Sequence, residues 1–254
     1  MNNLVSVIIT TYNSSETIEE CLSSVLNQTY KNIEILIYDD CSNDFTVNLI
    51  EKKLKNIDVN YIIKRGVNNF GGPAKGRNWG CVNAKGDFIC FLDADDTWEN
   101  NKIQFQLNVM ITKNITVCST NAIVLNGKQF PDISGFISIF KLMRRNHLIL
   151  SSTMIKKSII KNLKYIFNED KKFISVEDYD FFLRLSLLKN KIFVINKRLT
   201  RYLVLADSIS HSDINENELK RLNVLKKLKV NNFLQYTWKW FIITVYKIKY
   251  LCLI

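Results

Sequence analysis

Short apolar runs that stop abruptly in polar residues, alternating with helical periodicity, constrain this chain more than any other feature. Residues 4–9 form such a run and end in Thr10-Thr11-Tyr12-Asn13-Ser14. Ile18, Cys21, Leu22, Val25 and Leu26 then recur at the spacing of one helix face. Asn13, with Glu16 three residues on, reads as a capping box for that helix. A second run, 33–38, enters Asp39-Asp40-Cys41-Ser42; a helix over about 44–55 and a strand over 59–63 follow. The order βαβαβ predicts a Rossmann-like, mostly parallel central sheet flanked by helices.

A glycine-rich loop, 66–72, and Pro73 introduce another helix, which carries Lys75, Arg77 and Asn78 and ends near Gly86. The next run, 88–92, meets Asp93-Ala94-Asp95-Asp96 directly. Carboxylates crowded at the end of a buried strand repel one another, and a bound cation would relieve them. Open α/β sheets bind ligands at the carboxyl ends of their strands, so Thr10, Tyr12, Asp40 and the Asp93–Asp96 cluster are expected at one crevice. The competing reading is a solvated acidic turn. Thr10, Tyr12 and Asp40 suit a planar, hydrogen-bonding ligand. The carboxylates suit Mg²⁺ or Mn²⁺, hard cations that prefer oxygen. A divalent ion beside a nucleotide implies a diphosphate, to which Arg77 and Lys75 would add positive charge. No G-x-G-x-x-G follows the first strand and no G-x-x-x-x-G-K-[ST] is present, which argues against a dinucleotide domain and a P-loop.

Further on, the pattern predicts a helix at 100–110, one or two strands in 115–125, a tight turn at Asn126-Gly127 and a strand at 151–155. A helix opens at Glu177-Asp178, and two strands, 191–195 and 199–205, follow. The chain has 254 residues and a formal charge of +11, which favours an anionic partner. The charge is uneven: residues 133–168 hold seven Lys/Arg and no Asp or Glu. Residues 215–254 hold eight Lys/Arg, two Glu and seven aromatics, a composition suited to helices on a membrane surface. Packing on the chain's own domain or on a second subunit of a homodimer is the alternative. No run reaches the ~20 apolar residues of a membrane span. The six scattered cysteines read as reduced thiols of a cytoplasmic protein, and no signal-peptide pattern opens the sequence. No nucleic-acid recognition module is evident, so nucleic acid is not expected as a partner.

Val5-Ser6-Val7-Ile8-Ile9-Thr10-Thr11-Tyr12-Asn13, Ser24-Val25-Leu26-Asn27-Gln28-Thr29-Tyr30 and Asp39-Asp40-Cys41-Ser42 resemble the opening of family 2 glycosyltransferases. Gly71-Gly72-Pro73-Ala74-Lys75-Gly76-Arg77-Asn78, Phe91-Leu92-Asp93-Ala94-Asp95-Asp96-Thr97-Trp98 and Glu177-Asp178-Tyr179-Asp180 with Arg184 resemble its later blocks, in family order, over roughly residues 4–210. The resemblance implies a GT-A fold and inverting, metal-dependent transfer of a sugar from a nucleotide donor, usually a UDP-sugar. The acceptor would be a hydroxyl of a growing surface glycan (lipopolysaccharide, capsule or exopolysaccharide) at the cytoplasmic face of the inner membrane. By the same resemblance Thr10, Tyr12 and Asp40 would contact nucleobase and ribose, and Asp93 would approach the nucleotide-sugar, whose binding Arg77 would assist through its charge. Asp95 would ligate the metal, with Asp96 as helper, and Asp178 would be the catalytic base. The expected organisation is a glycosyltransferase domain over 1–212, nucleotide-binding to about 98 and acceptor-side from about 99, then a helical tail over 213–254. One departure stands out. Family members often carry Arg and His after the late strand, where this chain has Leu203 and Leu205, with His211 just beyond. A non-catalytic sugar-nucleotide-binding subunit of a glycan assembly complex is the alternative this departure raises.

Overall fold

The computed structural model describes residues 3–205 and 214–251. Among the described residues nine strands form one sheet: β1 (Val5–Thr11), β2 (Ile33–Asp39), β3 (Asn60–Arg65), β4 (Phe88–Asp93), β5 (Thr97–Trp98), β6 (Val117–Leu125), β7 (Gly135–Phe136), β8 (Met154–Lys156) and β9 (Ile192–Leu203). Their spatial order is β3-β2-β1-β4-β8-β6-β9-β5, with β7 added on β9. β1 to β4 are mutually parallel, β6 runs parallel to β9, and β8 enters antiparallel between β4 and β6. The winding reverses between β1 and β4, and there the carboxyl ends converge: Thr10 lies opposite Tyr38 on one side and Asp93 on the other.

Every residue of β1 and β2 is buried, as expected of central parallel strands covered on both faces. Val7, Ile9, Ile35 and Ile37 face a core shared with α1 (Ile18–Leu26), α2 (Thr46–Leu54) and α4 (Lys102–Thr112). Ile8, Leu36, Ile89 and Phe91 face the opposite core. That second core includes α3 (Ala74–Asn83), α5 (Ile139–Arg144), α6 (Glu177–Leu187), α7 (Ile214–Lys227) and α8 (Phe233–Leu251). Among the described residues no helix is long and apolar enough to cross a membrane. Cys21, Cys41, Cys81, Cys90 and Cys118 are free thiols.

Two local expectations are corrected. Asn13 does not cap α1, which starts five residues later, after a turn over 14–17. Instead Asn13 takes a left-handed φ of 47°, and its Oδ1 accepts from the Asn43 amide, tying the β1 exit to the β2 exit. The two late strands are one, β9. The polar break around Asn196 is an irregularity inside a continuous ladder, held by Asn121 Nδ2 donating to Asn196 Oδ1 at 3.1 Å. Polar residues signal a loop in a linear reading, but a bulge satisfies them within the sheet.

α3 carries Gly76 and Gly80, a poor choice for a helix by propensity alone. Packing explains them. A Cβ on Gly76 would lie 2.8 Å from Tyr38 Cδ1, and one on Gly80 would lie 2.5 Å from Ile8 Cγ2. The two glycines, four residues apart on one face, let α3 sit directly on β1 and β2. Gly80→Ala is expected to destabilise the fold despite gaining helix propensity. Overpacking costs about 1–3 kcal/mol against about 1 kcal/mol returned, and a lowered urea midpoint with an unchanged slope would register it.

Candidate active site

The carboxyl ends of β1, β2 and β4 open into a cleft of ≈ 1230 Å³ whose wall includes Thr10, Tyr12, Asp40, Arg77, Asp93, Asp95 and Asp178. These seven residues, singled out in the sequence, share one cavity, whereas Lys75 and Asp96 do not line it. Asp40 accepts from the backbone amides of Phe70 and Gly71 at 3.0–3.1 Å, which anchors the glycine-rich loop to the end of β2. Gly71 has a φ of +88°, a conformation that favours glycine. Burial raises the Asp40 pKa, and the two amides and nearby Lys75 oppose the rise. Tyr12, just past β1, lines the cleft and is 46% exposed. The neighbouring Asp39 is fully buried and caps Ser42, so it serves the loop and not the cleft.

Arg77 holds the centre. Its Nη2 donates to both oxygens of Asp93 at 2.7 and 3.0 Å, and its Nη1 donates to Glu177 Oε1 at 2.7 Å. The guanidinium is almost fully buried, and Glu177 with it, while Asp93 keeps about a third of its side chain open. Thr10 and Ser151 hydroxyls add donors to Asp93 at 3.2 and 3.5 Å. Arg77 thus reaches the cleft as the partner of two carboxylates. The positive charge expected from it beside an anion is largely neutralised.

Asp95 and Asp178 differ from Asp93 in lacking such a partner. Burial, then the Asp93 charge, push Asp95 up to about 6. Burial, then Glu177, likewise lift Asp178 to about 6. Asp178 lies in the first turn of α6, where the helix dipole favours an ionised carboxylate. The raised pKa shows that desolvation and the adjacent like charge win there. Asn146 Nδ2 donates to Asp178 Oδ2 at 3.0 Å and the Tyr179 amide to Oδ1 at 2.6 Å, fixing the carboxylate. Asp96, expected as a helper of Asp95, is buried and accepts from the Leu203 amide at 2.9 Å, toward β9 and not into the cleft. Leu205 lines the cleft; His211 lies outside the described residues. Trp98 is packing: it is buried, and its indole donates to the Ser151 carbonyl.

The family described as "Glycosyl transferase family 2" matches residues 6–172, about two-thirds of the chain. The chain belongs to glycosyltransferase family 2. It is 34% identical to the UDP-Glc:alpha-D-GlcNAc-diphosphoundecaprenol beta-1,3-glucosyltransferase WfaP of Escherichia coli, covering 89% of this chain and 87% of that one. WfgD of the same organism, with the same activity in its name, is 32% identical over 86% of this chain and 82% of its own. The fold is that of S. aureus TarS in complex with UDP-GlcNAc, with a TM-score of 0.75, 23% identity, and 89% of this chain and 68% of that chain covered. It is likewise similar to the mannosyltransferase PcManGT from Pyrobaculum calidifontis in complex with GDP-Man and Mn²⁺, with a TM-score of 0.69, 15% identity, and 89% and 65% covered. The architecture is GT-A, and this family 2 member is a glycosyltransferase.

Several residues at the site of this glycosyltransferase were not foreseen. Glu177 was visible only as a neighbour of Asp178; which of the two faces Arg77 depends on the phase of α6. Asn146, His147, Ser151 and the cations Arg145 and Arg221 come from the segment 145–151 and from α7. Burial and the surrounding Lys141, Arg145, Arg144 and Arg221 depress His147 to about 4, so it is neutral at pH 7. The acid-free stretch 133–168 was the available signal for Arg145. Removing the central cation leaves buried carboxylates uncompensated. Arg77→Leu is expected to cost about 3–5 kcal/mol by urea unfolding, and Arg77→Leu/Glu177→Leu to recover part of that loss.

Proposed function

We propose that this enzyme transfers a sugar from a UDP-sugar, with inversion, to a hydroxyl of an undecaprenyl-diphosphate-linked precursor of a surface glycan. The observation that carries the proposal is the division of one cleft. Asp40, Asp93 and Asp95 gather at the strand ends, and Asp178 stands on α6 with a separately raised pKa. The names of WfaP and WfgD support the donor and the lipid-linked acceptor. In this reading residues to about 98 supply the donor half, residues from about 99 to 212 the acceptor half, and 213–254 a helical tail. The protein works at the cytoplasmic face of the inner membrane, attached peripherally.

Thr10, Tyr12 and Asp40 bind nucleobase and ribose. Asp93, fixed by Arg77, orients the nucleotide-sugar, and Arg77 acts on the donor through Asp93. Asp178 takes the proton of the acceptor hydroxyl as that oxygen bonds to the anomeric carbon and the bond to UDP breaks. A pKa near 6 leaves Asp178 ionised at pH 7, yet a stronger base than an ordinary carboxylate. One base suffices because the leaving group is a diphosphate that needs no proton; glycosidases use a carboxyl pair.

Among the described residues no three His, Cys, Asp or Glu side chains form a metal cluster. The donor set nevertheless fits a hard cation that takes most of its oxygens from a substrate. Asp95 is an unpaired carboxylate with a raised pKa, beside Asp93. We assign Asp95 as the protein ligand for Mn²⁺ or Mg²⁺, in keeping with the Mn²⁺ bound by PcManGT. Such an ion, when bound, neutralises charge on the departing diphosphate. Retention of Asp95 and Asp178 counts against the non-catalytic alternative raised by Leu203 and Leu205.

Asp178→Asn is expected to lower transfer at least about 100-fold while leaving UDP-sugar affinity, by calorimetry, nearly unchanged. The wild-type kcat/KM should fall on an acid limb near pH 6. The same variant should be more stable than wild type at pH 7.5. The folded pKa of Asp178 lies above the unfolded value, so wild type loses stability as pH rises through about 4 to 6. Asn removes that loss, a gain of about 3 kcal/mol that should vanish toward pH 4. Unchanged transfer in Asp178→Asn would reject the base assignment. Asp95→Ala should raise the Mn²⁺ or Mg²⁺ concentration needed for donor binding at least tenfold, and full activity at wild-type metal concentrations would reject the ligand.

A further inference from the structure

Helix α8 is built inside out. Over 233–246 its one charged residue is Lys239, and Lys239 is buried, its Nζ donating to the Leu228 carbonyl at 3.0 Å. Ile242 and Ile243 lie in the core on the same inner side. The outer side carries Phe233, Leu234, Tyr236, Trp240, Phe241 and Val245, with Phe233 77% and Phe241 56% exposed. Thr237 and Thr244 are the polar residues of that face, and neither is charged. A helix facing water carries its charges outward and its apolar groups inward. Here burial of the lysine and exposure of the aromatics reverse that order, over about 18 Å of helix length.

Charge identifies the occupant. Among the acid-free stretches of the chain, 133–168 carries seven Lys/Arg and 219–254 eight. The fold brings them together where α5 packs on α8. Trp238 Nε1 donates to the Phe140 carbonyl and Tyr246 Oη to the Arg144 carbonyl, both at 3.0 Å. This seats Lys141, Arg144 and Arg145 beside the aromatic helix, and Arg145 and Asn146 continue into the cleft. Aromatic residues partition to the boundary between headgroups and acyl chains, and Lys/Arg clusters bind anionic headgroups.

We infer that the outer face of α8 docks on an anionic lipid bilayer, with the basic end of α5 at the headgroups, and so holds the Asp178 side of the cleft at the membrane surface. The docking serves the proposed lipid-linked acceptor, on which its purpose rests. Its test is a binding measurement that does not need turnover. A water-soluble lipid carrier diphosphate analogue would reach the cleft without docking, whereas an acceptor embedded in a bilayer would need it.

Co-flotation with vesicles of phosphatidylglycerol and phosphatidylethanolamine, compared with phosphatidylcholine alone, tests this on the full chain. Binding is expected to the anionic vesicles, weakened by 0.5 M salt. Trp240→Glu/Phe241→Glu should reduce it at least tenfold, with an unchanged melting midpoint and unchanged UDP-sugar affinity. Lys141→Gln/Arg144→Gln should reduce the preference for anionic vesicles. Absence of binding to either vesicle type, or equal binding by the Glu variant, would overturn the inference. So would a dimer in sedimentation that the Glu variant dissociates, because the face would then belong to a second copy. Failure of UDP-sugar turnover with vesicle binding intact would count against the proposed function alone.

Discussion

The buried guanidinium of Arg77 joins three elements that are far apart in sequence. α3 supplies the cation, the end of β4 supplies Asp93, and the start of α6 supplies Glu177. Three charges out of water are costly unless they satisfy one another, so the arrangement persists only where all three backbones are held in place. Gly76 and Gly80 bring α3 down onto β1 and β2 and set the depth at which Arg77 sits. The phenyl rings of Phe91, Phe167 and Phe181 pack edge-on and stacked beneath it and exclude water.

That single cation sorts the carboxylates of the cleft. Asp93 and Glu177 are neutralised by it, while Asp95 and Asp178 are each left beside a paired neighbour and pushed up to about 6. A row of acidic residues with nearly identical intrinsic chemistry is thereby split. In the proposed reading one orients the donor, one holds a cation and one acts as the base. Asp96, next in sequence to Asp95, is lost to the β9 backbone because the turn after β4 points it the other way.

Much of this was legible in one dimension. The strand–helix alternation, the parallel sheet and the gathering of Thr10, Tyr12, Asp40 and Asp93 at one edge follow from period and order alone. The motif order around Asp93–Asp96 and Glu177-Asp178 pointed to the family to which the chain belongs. What misled was local polarity. Asn13 looked like a helix cap and instead bridges two strand exits, and Asn196 looked like a loop and instead sits in a ladder irregularity. Both satisfy their polar groups through residues 30 or more positions away, which no window of neighbours contains.

The sequence by itself determined the sheet, the position of the acidic strand end and the asymmetry of the charge, because hydrophobic period and charge are written residue by residue. Only the tertiary structure decided which carboxylate Arg77 neutralises, that Glu177 and not Asp178 completes the ion triad, and that α8 turns its lysine inward and its aromatics outward. Those outcomes depend on helix phase and on contacts between distant segments. Burial, which sets the free energy of every charge here, exists only once the segments have packed.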